Sequence, residues 1–140
     1  MVIVNNKFYI SQLGIGCWNI DGIWRRINSF RYNKLHDSYV QDFIKNNKIF
    51  CFLETHHIAG EEGDLHIEGY QCFSVCRPKD KTSKKPKASG GLACYVHNSI
   101  RPGVLKVPRA GTETIWLKLK KDFFNLQNDM CTSKQQSFTT

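Results

Sequence analysis

Lys48-Ile49-Phe50-Cys51-Phe52-Leu53-Glu54-Thr55-His56-His57 carries an unbroken apolar run from Ile49 to Leu53, then turns abruptly polar. A short continuous apolar run reads as a strand buried on both faces, in a sheet covered by helices or by a second sheet. Glu54 then stands at the carboxyl end of that strand, where open α/β sheets bind their ligands. A carboxylate at such an edge suits a divalent cation, because hard cations prefer oxygen. It suits equally the first residue of a solvated loop, since charged side chains are mostly exposed.

Upstream, residues 13–19 form a second strand candidate, ending in the turn-prone cluster Asn19-Ile20-Asp21-Gly22. Asn19 and Asp21 are two apart, so an extended chain would point them to one face; either alone also serves as a turn former. Trp24 to Ile27 reads as a helical turn carrying Arg25 and Arg26. Ser38 followed by Gln41 has the spacing of a capping box. Val40, Phe43 and Ile44 then fall at helical spacing, which predicts a helix over residues 38–46. Strand, helix, strand favours a crossover with parallel neighbouring strands. That geometry brings Asn19, Asp21 and Glu54 to one edge. Nearer the start, residues 2–4 and 8–10 are short apolar patches that suggest a leader strand.

Downstream, Tyr70, Phe73 and Val75 mark another strand. A basic loop follows, with Arg77, Lys79, Lys81, Lys84, Lys85 and Lys87 against a single acid, Asp80. It reads either as a solubilising loop or as a set of phosphate contacts. Gly90-Gly91 closes it, and residues 92–96 form a buried strand. Pro102-Gly103 is a turn and residues 104–107 a short strand. Residues 113–119 alternate apolar and polar, as in a half-covered strand. Residues 130–140 are mostly Ser, Thr, Gln and Lys. They offer no strand to pair with residues 113–119, so the expectation is a bare sheet edge and a poorly ordered polar tail over 120–140.

The 140 residues are enough for one domain. With 41% hydrophobic residues and 12% aromatic, the chain can build a core. A net charge of +8 and a pI near 9.3 favour a polyanionic partner, nucleic acid or an anionic membrane surface. The six cysteines sit mostly in apolar runs and read as reduced thiols. Cys72 and Cys76 with His56 or His57 fit no usual zinc spacing. The first residues lack the charged and apolar regions of a secretory signal, and no apolar run is long enough to span a bilayer. The expected location is intracellular, cytoplasmic or nuclear, with no membrane partner.

Trp18-Asn19-Ile20-Asp21-Gly22, Phe52-Leu53-Glu54-Thr55, residues 90–96 and residues 113–119 occur in an order that resembles the front part of the endonuclease/exonuclease/phosphatase family. The wording is closest to the apurinic-endonuclease-like domains of LINE-type (non-LTR) retrotransposons. The resemblance implies that residues 1–119 are the front half of a four-layer α/β sandwich of the deoxyribonuclease I-like kind. It implies a Mg²⁺-dependent phosphodiesterase acting on DNA or another nucleic acid. Asn19 matches the active-site Asn that orients nucleophile and phosphate. Glu54 matches the metal-binding Glu, and Asp21 an auxiliary metal-site acid. His56 and His57 do not match the catalytic His, which lies near the family's carboxyl terminus.

The later family motifs, an Asp-x-Asn pair and a terminal Asp-His pair, do not occur in this sequence. The expectation is therefore a truncated member, weakly active or inactive as this chain. Two other readings stay open. One is a non-catalytic nucleic-acid-binding remnant that uses the basic loop. The other is a lipid or inositol phosphatase branch of the same fold.

Overall fold

The computed structural model describes residues 3–4, 7–8, 13–76, 90–109, 113–124 and 135–139. The organising stretch forms strand β6 (Ile49–Leu53) at the centre of a four-stranded sheet. Ahead of it come two short paired strands, β1 (Ile3–Val4) and β2 (Lys7–Phe8), then β3 (Ile15–Asn19). The chain continues through a hairpin of β4 (Trp24–Ile27) and β5 (Phe30–Asn33) and helix α1 (Ser38–Lys45). After β6 come β7 (Tyr70–Val75) and β8 (Leu92–His97). The central sheet has the order β3-β6-β8-β7.

β3 and β6 are parallel, in register from Ile15 opposite Ile49 to Asn19 opposite Leu53. The crossover through α1 therefore puts both carboxyl ends at one edge, as the sequence pattern requires. β8 runs antiparallel to both β6 and β7. A second sheet holds β9 (Val104–Val107), β10 (Thr114–Leu119) and β11 (Gln135–Thr139), all antiparallel, with β10 in the middle. A single helical turn, α2 (Lys121–Phe124), follows β10. The fold class is mixed α/β.

Alternation along β6 divides its side chains between two cores. Ile49 and Cys51 join Leu92, Cys94 and Val96 in packing against Ile115, Leu117 and Leu119 of the second sheet. Phe50 and Phe52 face the other way, with Tyr95, toward Val40 and Ile44 of α1. That side is an aromatic stack: Phe50 and Tyr95 lie nearly parallel at 4.8 Å, and Phe43 meets Phe50 edge-on at 5.6 Å. Burying each such ring contributes about 1.5–3 kcal/mol; the helix is tied to this stack by Phe43 together with the buried Val40 and Ile44. Tyr95 and Tyr70 bury hydroxyls without leaving them unpaired, donating to Leu65 O at 2.7 Å and to Ile44 O at 2.9 Å.

Three local expectations give way. Trp24–Ile27 is a strand, not a helical turn; it pairs with Phe30–Asn33 across a two-residue loop in which Asn28 takes the left-handed conformation (φ 54°). The capping box does not form. Asp37 is the helix N-cap without a side-chain cap bond, and Gln41 donates to Leu35 O instead. Finally, β10 has no bare edge, because Gln135–Thr139 pairs along it from Thr114 to Lys118. A polar strand gains its place through ladder hydrogen bonds, which apolar patterning does not report. The five described cysteines, Cys17, Cys51, Cys72, Cys76 and Cys94, are free thiols. Burial pushes the Cys72 thiol up to about 12, where it is inert. Among the described residues, no helix is long and apolar enough to cross a membrane.

Candidate functional site

Three segments meet at the carboxyl ends of β3 and β6: residues 19–23, residues 54–57 and Gly90-Gly91. The middle segment is hydrogen-bonded on both sides. Gly22 N–H donates to Glu54 O at 2.6 Å and Ile23 N–H to Thr55 O at 3.1 Å. From the other flank, Thr55 N–H donates to Gly91 O and His56 N–H to Gly90 O at 2.9 Å. The pairing is irregular because the backbone twists out of the strand conformation. Glu54 (φ 54°), His56 (φ 56°) and Asp21 (φ 49°) are all left-handed. For non-glycine residues this conformation costs roughly 1–2 kcal/mol each. Among the described residues only Asn28, at the hairpin turn, shares it. Such strain persists where surrounding bonds enforce it, and it clusters at functional sites.

The twist aims the polar groups. Glu54 Oε2 accepts from Gly90 N–H at 2.9 Å and lies 3.1 Å from His56 Nε2. Both side chains remain accessible, Glu54 at 32% and His56 at 25% exposure. Asn19, opposite Leu53 and so one register position before Glu54, is exposed, and its Oδ1 accepts from Asp21 N–H at 3.1 Å. That leaves the Asn19 amide nitrogen as a donor. Asp21 lies exposed on the turn. Lys34 holds the turn from behind, with Nζ donating to Ile20 O at 2.9 Å and to Asp21 O at 2.8 Å.

Beneath this surface, Thr55 and His57 are buried. Thr55 Oγ1 lies 2.5 Å from His57 Nδ1, while His57 Nε2 has no partner among the described residues. Burial pushes the His57 imidazole below its usual pKa, with Glu62 and Glu61 opposing in part, so His57 is neutral at pH 7. Gly91 (φ 87°) completes the packing, since a Cβ there would run into Thr55 Oγ1 and approach His57 Nδ1 to 3.2 Å.

The backbone pairing thus sets Asn19 and Glu54 at one sheet edge, with Asp21 on the adjoining turn. Arg77, Lys79, Lys81, Lys84, Lys85 and Lys87 lie outside the described residues. Sequence reasoning missed Lys34, the Glu54–His56 pair and the part played by Gly90-Gly91 in holding Glu54. The double glycine was the available signal, as glycine pairs mark left-handed backbone. Among the described residues no cluster of three or more His, Cys, Asp or Glu converges.

A cavity of about 530 Å³ opens at the other end of the sheet, where Lys45, Lys48, His36, His66, Glu68 and His97 line it. It is far along β6 from Glu54, and none of Asn19, Asp21 or Glu54 borders it. A roomy cavity is one mark of a ligand site; strained backbone and polar groups gathered at the carboxyl edge make that edge the better candidate. No protein-family model, curated protein or solved structure matches the chain.

Proposed function

We propose that this chain carries the front half of a Mg²⁺-dependent DNA phosphodiesterase of the endonuclease/exonuclease/phosphatase kind, a four-layer α/β sandwich in its full form, and that on its own it is a slow catalyst or none. The observation that carries the reading is the convergence of Asn19 and Glu54 on one strained sheet edge. Layers of helix, sheet and sheet, built around β6, agree with it.

Mg²⁺ typically keeps several waters and uses one or two carboxylates plus substrate phosphate, so it needs no all-protein cage. Glu54 alone would supply the protein's carboxylate to that sparse oxygen set; Asp21 stands on the neighbouring turn and does not converge with Glu54 and His56. When bound, the ion would act as a Lewis acid on a phosphoryl oxygen. His56 and Gly90 N–H hold the Glu54 carboxylate in place. Asn19, braced by its bond to Asp21 N–H, presents an amide donor for a phosphate oxygen. Lys34 keeps the turn that carries both in one shape.

The later family motifs that would supply a base for an attacking water, a role worth about 10²–10⁴ in rate, do not occur in this sequence. Supercoiled-plasmid nicking tests the proposal, alongside Mn²⁺ binding followed by electron paramagnetic resonance. Nicking should be slow, and Mn²⁺ uptake should fall at least 10-fold in Glu54→Gln. Rapid cutting abolished by Glu54→Gln would overturn the claim of a deficient site. Mn²⁺ uptake unchanged in Glu54→Gln would overturn the metal site itself. A lipid or inositol phosphatase branch would show instead as hydrolysis of inositol phosphates with DNA left intact.

A further inference from the structure

The β4–β5 hairpin leaves the candidate site at Ile23 and carries an unusual surface. Among the described residues five large apolar side chains are exposed: Ile27, Phe30, Tyr32, Tyr39 and Leu105. The first three lie on the hairpin, and Tyr39 borders it, accepting from Arg25 at 2.7 Å. Ile27 and Phe30 face each other as the last pair before the turn, 54% and 76% exposed. Soluble domains seldom display an aromatic ring so openly beside another apolar side chain unless something covers it.

Strand alternation sorts the remaining residues. Arg25 opposes Tyr32 and shares a face with the Ile27–Phe30 tip, while Arg26 opposes Arg31 on the other face. Like charges directly across an antiparallel pair destabilise it. Arg31 stacks over the Trp24 ring at 3.8 Å, and no acid among the described residues pairs with Arg26 or Arg31. The hairpin base is anchored all the same: Asn33 donates to Asp64 O at 3.0 Å, and Arg25 lies 3.3 Å from Asp37. A firmly rooted ribbon with an apolar tip and opposed arginines is therefore matched to a partner that is polyanionic outside and apolar between its layers.

We infer that the hairpin is a wedge for duplex DNA, with Phe30 and Ile27 entering at a base step and Arg26 and Arg31 meeting the backbone phosphates. Apolar wedges flanked by arginine are a known way to part stacked bases. The phosphates relieve the Arg26–Arg31 repulsion, and the bases cover the tip. The inference rests on the proposed function for the choice of DNA as partner, but not for chemistry.

The test is equilibrium binding in EDTA to a duplex containing 2-aminopurine, whose fluorescence rises on unstacking, over a range of salt concentrations. Excluding divalent metal separates this result from the nicking assay, so either proposal can fail alone. Wild type should bind with a fluorescence rise. Phe30→Ala should keep its urea midpoint and its salt slope, lose the rise, and bind about 5- to 100-fold more weakly, the range for one lost stacking contact. Arg26→Ala with Arg31→Ala should flatten the salt slope by about two phosphate contacts. The wedge is overturned by an undiminished rise in Phe30→Ala, by an unchanged slope in the double variant, or by absence of binding in wild type. It is also overturned by concentration-dependent dimers that Phe30→Ala abolishes, which would assign the tip to a second copy of the chain.

Discussion

The two ends of strand β6 are built on different terms. At the amino end, Lys48 and His97 border an open cavity, and the ladder is regular up to Ile49 opposite Val96. At the carboxyl end three non-glycine residues are held left-handed and Glu54 is bonded from two directions. An empty hollow costs the fold little and specifies little. A strained edge costs several kcal/mol at roughly 1–2 kcal/mol per residue, and so must be fixed by many bonds at once. The contrast teaches that enforced backbone, rather than volume, marks the better candidate site here.

The largest expected effect that sharpens this contrast comes from glycine replacement at each end. Gly91→Ala meets both an unfavourable φ and Thr55 Oγ1, and should cost about 2–4 kcal/mol by urea unfolding. Gly69→Ala, at the cavity end with φ 84° but nothing nearer than 3.9 Å, should cost only about 1–2 kcal/mol. Equal costs would break the comparison.

Next, Lys34→Met frees two carbonyls of the Asn19–Gly22 turn and should cost about 1–2 kcal/mol, because hydrogen bonds from charged donors exceed neutral ones. It should also weaken Mn²⁺ uptake if the turn positions the site.

The pH response is smaller. His57 and His97 are both pushed down by burial, His97 also by Lys48, so the unfolded chain binds protons that the folded chain does not. Stability is therefore full above about pH 6.5, the unfolded value, and falls as pH drops below it. The urea midpoint should decline between pH 7.5 and 5.5, and His57→Asn should make that decline shallower. Smallest of all, Lys48→Ala at the half-buried cavity rim should shift stability by no more than about 0.5 kcal/mol, since among the described residues its side chain makes no hydrogen bond or ion pair.

How much of this could be read from the amino acids follows from which forces each part uses. β6, α1 and the parallel β3–β6 pair are set by apolar patterning, which sequence displays directly. The alignment of Asn19 with Glu54 follows from that pairing and was legible too. The β4–β5 hairpin was not. Trp24-Arg25-Arg26-Ile27 has neither strand nor helix periodicity, and its pairing depends on Asn28 turning left-handed. Gln135–Thr139 was hidden for a similar reason, since its partner supplies the ladder that its own composition does not advertise. At the site, Lys34 and Gly90 act through backbone carbonyls and amides, contacts that leave little trace in residue type.

The Glu54 carboxylate and the Gly90 amide that holds it are 36 positions apart in the chain. Residues 19–23, coming from a third stretch, must arrive as well. Closing such long loops is slow and entropically costly until the whole sheet repays it. The amides of Gly22 and His56 should therefore gain protection from hydrogen exchange only with the final cooperative step of folding. Followed over time, these two amides would act as a clock for completion of the native state, whatever the edge is used for afterwards.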